Sequence, residues 1–276
     1  MGGLREIGNK AQARIKMLFL ETLTMEESAM HPLVSLEFSA KDAPKVVQRG
    51  DAVIVIDVLR CCSTIITALA KGAEGVIPTK TVNEARRLHK KHSELILAGE
   101  RGGIKPRGFD LGNSPLEFSP QAIGGKRIIF TTTSGTKAIV LSQKTEWVLI
   151  GALLNAEATA EAALKIVEKE KSGISLVLSG REGKHFSLED FLCAGLIVEK
   201  LPTDRVELSD AALGSWLAFQ QSRRSLHETI QDGHHARYLK SIGFEEDTRF
   251  CSRVNIFDIV PIYRNGIIIP LDLNLL

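Results

Sequence analysis

Four stretches of this chain combine carboxylates, guanidinium groups and short hydroxyl-bearing residues at close spacing. They are Asp57-Val58-Leu59-Arg60, Gly99-Glu100-Arg101-Gly102-Gly103, Thr131-Thr132-Thr133-Ser134-Gly135-Thr136 and Gly180-Arg181-Glu182-Gly183. Three of the four contain glycine, three an arginine and three a carboxylate, which is what a site for phosphate and a divalent cation needs. Carboxylates hold Mg²⁺, guanidinium forks take phosphate oxygens in pairs, and Thr, Ser and Gly amides at helix starts bind the rest. Each stretch alone has an ordinary reading. Asp57 at a strand end is equally a helix cap or turn residue, the threonine run can end a strand and cap a helix, and Arg60, Arg101 and Arg181 can each be surface ion-pair partners. Four such stretches at one predicted edge are hard to dismiss together.

Several phosphate chemistries are excluded. No GxxxxGK[ST] loop occurs, so a P-loop nucleotide enzyme is out. Leu59 stands where DxD phosphatases place their second carboxylate, and Ala68-Leu69 occupy the stretch in which a cysteine phosphatase needs arginine. A helix N-terminus would activate a thiolate at Cys61 or Cys62, but two small residues tucked under the sheet is the better reading. His89 and His92 lie on a lysine-rich helix face and read as solvated. His234-His235 can reach a site, although no spacing requires it.

The elements that must position these residues follow from the hydrophobic pattern. Ala52–Ile56, Gly75–Ile77, Leu95–Ala98, Arg127–Phe130, Trp147–Ile150 and Ile174–Leu178 are short apolar runs, several of them β-branched, as in strands buried on both faces. Amphipathic segments at Ser63–Lys71, Asn83–His92, up to about Ser142, and from Asn155 as N-cap to about Lys171 separate them. Ser187 with Asp190 three residues on resembles a capping box for a helix to about Lys200, and residues 207–243 are largely helical. Asn265-Gly266 between two apolar runs signals a hairpin. The fold class is therefore α/β, a three-layer α/β/α arrangement with a mostly parallel sheet and a C-terminal β-hairpin. Ligands of such sheets sit outside the carboxyl ends of the strands, where all four polar stretches fall. The long Gly99–Pro115 loop is expected to be functional.

Length and composition bound the rest. The 276 residues suit one large domain over 31–276, or two lobes meeting near residue 150. Residues 1–30 carry Arg5, Lys10, Arg14 and Lys16 against Glu6, and Met17–Leu20 is too short an apolar run for a signal core or membrane span. They read as a poorly ordered extension, with no membrane partner. A net charge of +2 excludes bulk nucleic-acid binding. Four cysteines without a CxxC pair indicate reduced thiols and a cytoplasmic location, and an enzyme of this size is often a homodimer.

The four stretches, with Gly108-Phe109-Asp110-Leu111-Gly112-Asn113-Ser114-Pro115, Phe186-Ser187-Leu188-Glu189-Asp190 and Asp258-Ile259-Val260-Pro261, resemble in order the motifs of the 2-phosphosulfolactate phosphatase family. The resemblance runs from about residue 33 to the C-terminus. It departs at Ser134, where asparagine is expected, and at Cys61-Cys62, where small Ala, Ser or Thr residues are usual. It implies Mg²⁺-dependent hydrolysis of (2R)-2-phospho-3-sulfolactate to 3-sulfolactate and phosphate, on the route to coenzyme M. On this reading Asp57 and Glu100 hold metal with Glu189 as a further ligand, and Asp190 serves in acid–base chemistry. Arg60, Arg101 and Arg181 hold substrate anions and stabilise transition-state charge. Thr132, Thr133, Ser134 and Thr136 donate hydrogen bonds, while Asp110, Asn113 and Ser114 shape the loop over the substrate as a lid. The rivals are a non-catalytic binder of a phosphorylated or sulfonated acid, and a phosphatase of a different phospho-acid.

Overall fold

The computed structural model describes residues 31–273; the extension expected at 1–30 lies outside the described residues. Among the described residues, short runs, several of them β-branched, build one sheet of ten strands: β1 Leu33–Glu37, β2 Ala52–Ile56, β3 Gly75–Thr79, β4 Ile96–Gly99, β5 Arg127–Thr131, β6 Val148–Gly151, β7 Ile174–Leu178, β8 Glu207–Leu208, β9 Pro261–Arg264 and β10 Ile267–Pro270. Their order is β4-β5-β3-β10-β9-β6-β2-β7-β1-β8. Six of the nine pairings are parallel, so the sheet is mostly parallel, as the sequence leads one to expect.

Period-two alternation in β2 explains the layers. Ile54 and Ile56 pack on one face with the helices Ala156–Glu170 and Leu188–Glu199. Val53 and Val55 pack on the other with the helix Cys61–Ala70. All five β2 residues are buried, as befits a central strand. The helix Asp210–Ser222 crosses Leu188–Glu199 so closely that a Cβ on Gly195 would lie 2.1 Å from the Ser215 carbonyl oxygen.

The hairpin β9–β10 turns through Asn265 and Gly266, at φ 53° and 84°, the left-handed pair that a two-residue turn requires. It is last in the chain but central in the sheet, between β3 and β6. Its three antiparallel pairings reverse β3, β4 and β5 relative to β6, β2, β7, β1 and β8. The carboxyl ends of β4 and β5 therefore point opposite to those of β2 and β7, not to one shared edge as the sequence leads one to expect. The loops after β2, β4, β5 and β7 nonetheless line one cavity. Residue 150 falls inside β6, within this continuous sheet.

Two local readings are corrected. Asn155 stands at the N-cap position without capping; its side chain accepts from the Ala152 N–H and donates to the Ile150 and Ile259 carbonyls. Ser187 also makes no side-chain cap bond. It lies close enough to Glu189 and Asp190 to oppose the rise in their pKa values. The helix Glu245–Cys251 lies where the sequence reading assigned no element. Among the described residues, no helix is long and apolar enough to cross a membrane.

Candidate active site

The convergent loops enclose a cavity of about 460 Å³. Asp57, Glu100, Glu189 and Asp190 line it, all at 6% exposure or less. Asp57 leaves β2 and caps the helix behind it, its Oδ1 accepting from the Cys61 N–H at 3.1 Å. The ordinary cap reading is thus correct for one oxygen. The other, Oδ2, lies against the start of the helix Gly135–Leu141, where a Cβ on Gly135 would come within 2.5 Å of it. Asp190 Oδ1 accepts from the Val58 N–H at 2.8 Å, joining the loop after β2 to the helix Leu188–Glu199.

Burying several carboxylates together is costly, and their protonation shows it. Burial, aided by the charge of Glu100, raises the Asp57 pKa to about 6 against the Ser179 and Cys61 hydrogen bonds and Arg60. Burial and then the charge of Asp57 raise Glu189, while Arg181 and its hydrogen bonds oppose the shift. Burial with Asp57 and Glu189 pushes Asp190 well above the usual carboxylate range. Such a cluster holds protons at neutral pH or is neutralised by a cation.

The oxygens of Glu100 are already used. Oε1 accepts from the Thr133 N–H at 2.6 Å, and Oε2 from the Gly103 N–H at 2.7 Å and the Thr133 hydroxyl at 3.1 Å. It clamps two loops together, which makes it a poor choice for the metal ligand that the sequence suggests. The Gly99–Pro115 loop is likewise fastened rather than free to act as a lid. Tyr238 donates to the Gly102 carbonyl, Arg60 to the Gly103 carbonyl and Ser114 to Asp247. Asp110 accepts from the Leu97 N–H and is outside the cavity lining. Asn113 does line the cavity, with its Oδ1 buried and unpartnered.

The three arginines have separate fates. Arg60 lines the cavity, held by Asp247 and Gly103. Arg101 turns away, bonding the Thr131 hydroxyl and the Glu100 and Lys80 carbonyls. Arg181 lines the cavity from a tight turn in which its backbone exchanges two hydrogen bonds with His185. Among the described residues its guanidinium has no hydrogen bond or ion pair, so it is the free cation of the site. Thr132, Thr133 and Ser134 line the cavity, whereas Thr136 lies behind them and exchanges hydrogen bonds with Thr132. Ser114 is also behind the wall, bonded to Asp247.

The sequence did not assign a third wall formed by His234, His235 and Tyr238 on the helix His234–Ser241. Burial first, then the charge of Arg60, lowers the His235 pKa to about 4, so the imidazole is neutral. The adjacent His234-His235 pair was the only sequence signal for this wall. Cys61 and Cys62 are buried, and burial raises both thiols, which agrees with the packing reading rather than an activated thiolate.

Among the described residues, no three His, Cys, Asp or Glu side chains group as a protein-only metal cage. Mg²⁺ does not need one, because it keeps waters and takes one or two carboxylates plus phosphate oxygens. Asp57 and Glu189 supply hard oxygen donors in a cavity whose buried carboxylates call for a counter-charge, so the residues present fit the ion.

Residues 38–266 match the family described as 2-phosphosulpholactate phosphatase. A Caldicellulosiruptor saccharolyticus protein is 39% identical over 233 residues, covering 83% of this chain and 95% of its own. A Caldanaerobacter subterraneus subsp. tengcongensis protein is 44% identical over 220 residues, covering 78% and 89%. A Thermotoga maritima protein is 44% identical over 216 residues, covering 78% and 90%. Each is named "Probable 2-phosphosulfolactate phosphatase".

Proposed function

This chain belongs to the 2-phosphosulpholactate phosphatase family, and from that premise we propose that it is a phosphoric monoester hydrolase of 2-phospho-3-sulfolactate, releasing 3-sulfolactate and phosphate. The observation that carries the reading is one cavity in which buried carboxylates meet two guanidinium groups and a row of Thr and Ser donors. The substrate bears phosphate, carboxylate and sulfonate on three carbons and needs cationic groups at close range. Arg181 offers an unspent guanidinium and Arg60 a fixed one. Thr132, Thr133 and Ser134 supply hydroxyl and amide donors around the transferred group. Asp190, whose pKa is raised by burial and its carboxylate neighbours, is the candidate to give a proton to the departing alkoxide oxygen.

Asp57 and Glu189 would hold Mg²⁺, which when bound supplies counter-charge to the phosphate oxygens. A carrier of anionic acids would gain nothing from Asp57, Glu189 and Asp190 buried together, so the hydrolase reading is preferred to the carrier. The four cysteines are free and buried, which supports a reducing cytoplasmic location, and the product would feed coenzyme M synthesis. The test is phosphate release from 2-phospho-3-sulfolactate within a panel of small phospho-acids, with and without EDTA. Preferential hydrolysis of that substrate, abolished by EDTA and restored by Mg²⁺, is expected. Tight binding of the panel without release would overturn the hydrolase reading, and release indifferent to EDTA would overturn the metal.

A further inference from the structure

Arg60 is held on three sides by groups from distant parts of the chain. Nη1 donates to Asp247 Oδ2 at 2.5 Å and Nη2 to the Gly103 carbonyl at 2.6 Å. The Phe244 ring lies 4.2 Å from the guanidinium carbon. Both charged side chains are almost wholly buried, at 1% and 3% exposure. The second Asp247 oxygen, Oδ1, accepts from the Ser114 hydroxyl at 2.6 Å. A buried ion pair is a poor source of stability, since desolvation offsets most of its attraction. It is an effective way to hold a guanidinium in one orientation. Of the five N–H groups of an arginine, two are spent on Asp247 and Gly103, and Arg60 itself lines the cavity.

We propose that Asp247 is a positioning residue for phosphate recognition, orienting Arg60 so that its remaining N–H groups face the transferred phosphate, with Ser114 fixing Asp247 in turn. The assignment rests on the hydrolase reading. It gives the helix Glu245–Cys251, which bears no residue of the cavity wall, a part in binding. It also makes the Gly108–Pro115 stretch a latch on the anion site rather than a cover over it.

The test compares Asp247→Asn, Ser114→Ala, Arg60→Lys and the Asp247→Asn/Arg60→Lys double variant with the wild type. Asparagine keeps the shape and one acceptor but leaves the buried Arg60 charge uncompensated, so the variant should melt lower than wild type and is assayed well below its own melting temperature. Loss of Arg60 alignment should lower kcat/KM by about 10- to 100-fold, and Ser114→Ala by a smaller factor. The double variant should be no worse than Arg60→Lys alone, because Asp247 acts through Arg60. Losses that multiply in the double variant would overturn the proposal in favour of a structural role. Calorimetric titration with inorganic phosphate in the presence of Mg²⁺ separates the two readings. Wild type that binds phosphate but hydrolyses nothing, with Asp247→Asn weakened about 10-fold or more, sinks the hydrolase and keeps the positioning role. Phosphate affinity equal in wild type and Asp247→Asn sinks the positioning role, and so does wild type that fails to bind phosphate.

Discussion

Gly135→Ala sets two physical effects against each other. Gly135 opens the helix Gly135–Leu141 without a left-handed φ, so alanine is conformationally acceptable. On backbone entropy alone the change should stabilise the protein by about 0.4–1 kcal/mol. The added Cβ, however, would lie 2.5 Å from Asp57 Oδ2, 2.5 Å from Cys61 Cβ and 2.6 Å from Cys61 Sγ. Neither neighbour can swing clear. Cys61 is buried in the first turn of its own helix, and Asp57 Oδ1 is tied to the Cys61 amide. Overpacking of this kind costs about 1–3 kcal/mol, which outweighs the entropy gain.

The expected result is a net loss on the order of 1–2 kcal/mol, or a fall in melting temperature of roughly 2–8 °C at ~2–4 °C per kcal/mol for a domain of this size. Activity should fall further than stability, because the group displaced is a carboxylate of the cavity wall. A shift of Asp57 by even ~1 Å should lower kcat/KM by about 100-fold. Calorimetric melting and steady-state phosphate release measure the two effects separately. A Gly135→Ala protein that melts higher than wild type and retains its kcat/KM would refute the close packing of Gly135 on Asp57.

Three further outcomes follow from the bonding pattern. Glu100→Gln should lower the melting temperature by several degrees, since the charge-assisted acceptors of the Thr133 and Gly103 amides are weakened at about 1 kcal/mol or more. It should leave the half-saturating Mg²⁺ concentration unchanged, and a large rise in that concentration would restore Glu100 as a ligand. Burial raises Asp57 from 3.8 to about 6, so its contribution to stability is full below its unfolded pKa and is lost as pH rises through about 6. Asp57→Asn should therefore melt higher than metal-free wild type at about pH 8 and level with it near pH 4; a lower melting point at the higher pH contradicts the shift. Arg181→Gln should lower kcat/KM by about 100-fold or more with the melting temperature unmoved, and Arg101→Gln should cost far less activity; kinetic equality of the two variants would remove the distinction drawn from their contacts.

The contrast between Arg101 and Arg181 shows where sequence reasoning reaches and where it stops. Both sit in glycine-rich turns beyond a strand, beside a glutamate, and nothing local distinguishes them. The strands were legible because a continuous β-branched run such as Ala52–Ile56 has few alternatives to burial on both faces, and the carboxyl-edge rule then located Asp57, Glu100, Thr132 and Arg181 in the cavity lining. Which side chain enters the cavity is a further question. Successive residues of an extended chain leave on opposite faces, so once Glu100 turns inward to meet Thr133 and Gly103, Arg101 must turn outward to Thr131. Ser187 at cap spacing makes Asp190 locally a capping-box residue, and only the family resemblance gives it a part in the chemistry; a Val58 amide 132 residues away claims its carboxylate. Asp247 meets Arg60 across 187 residues, on a helix whose local pattern carries no mark of the site. Local pattern reports what a segment becomes; the partner that claims each polar atom is set by the sheet order, which seats the last hairpin between β3 and β6 and leaves the loops after β2, β4, β5 and β7 around one cavity.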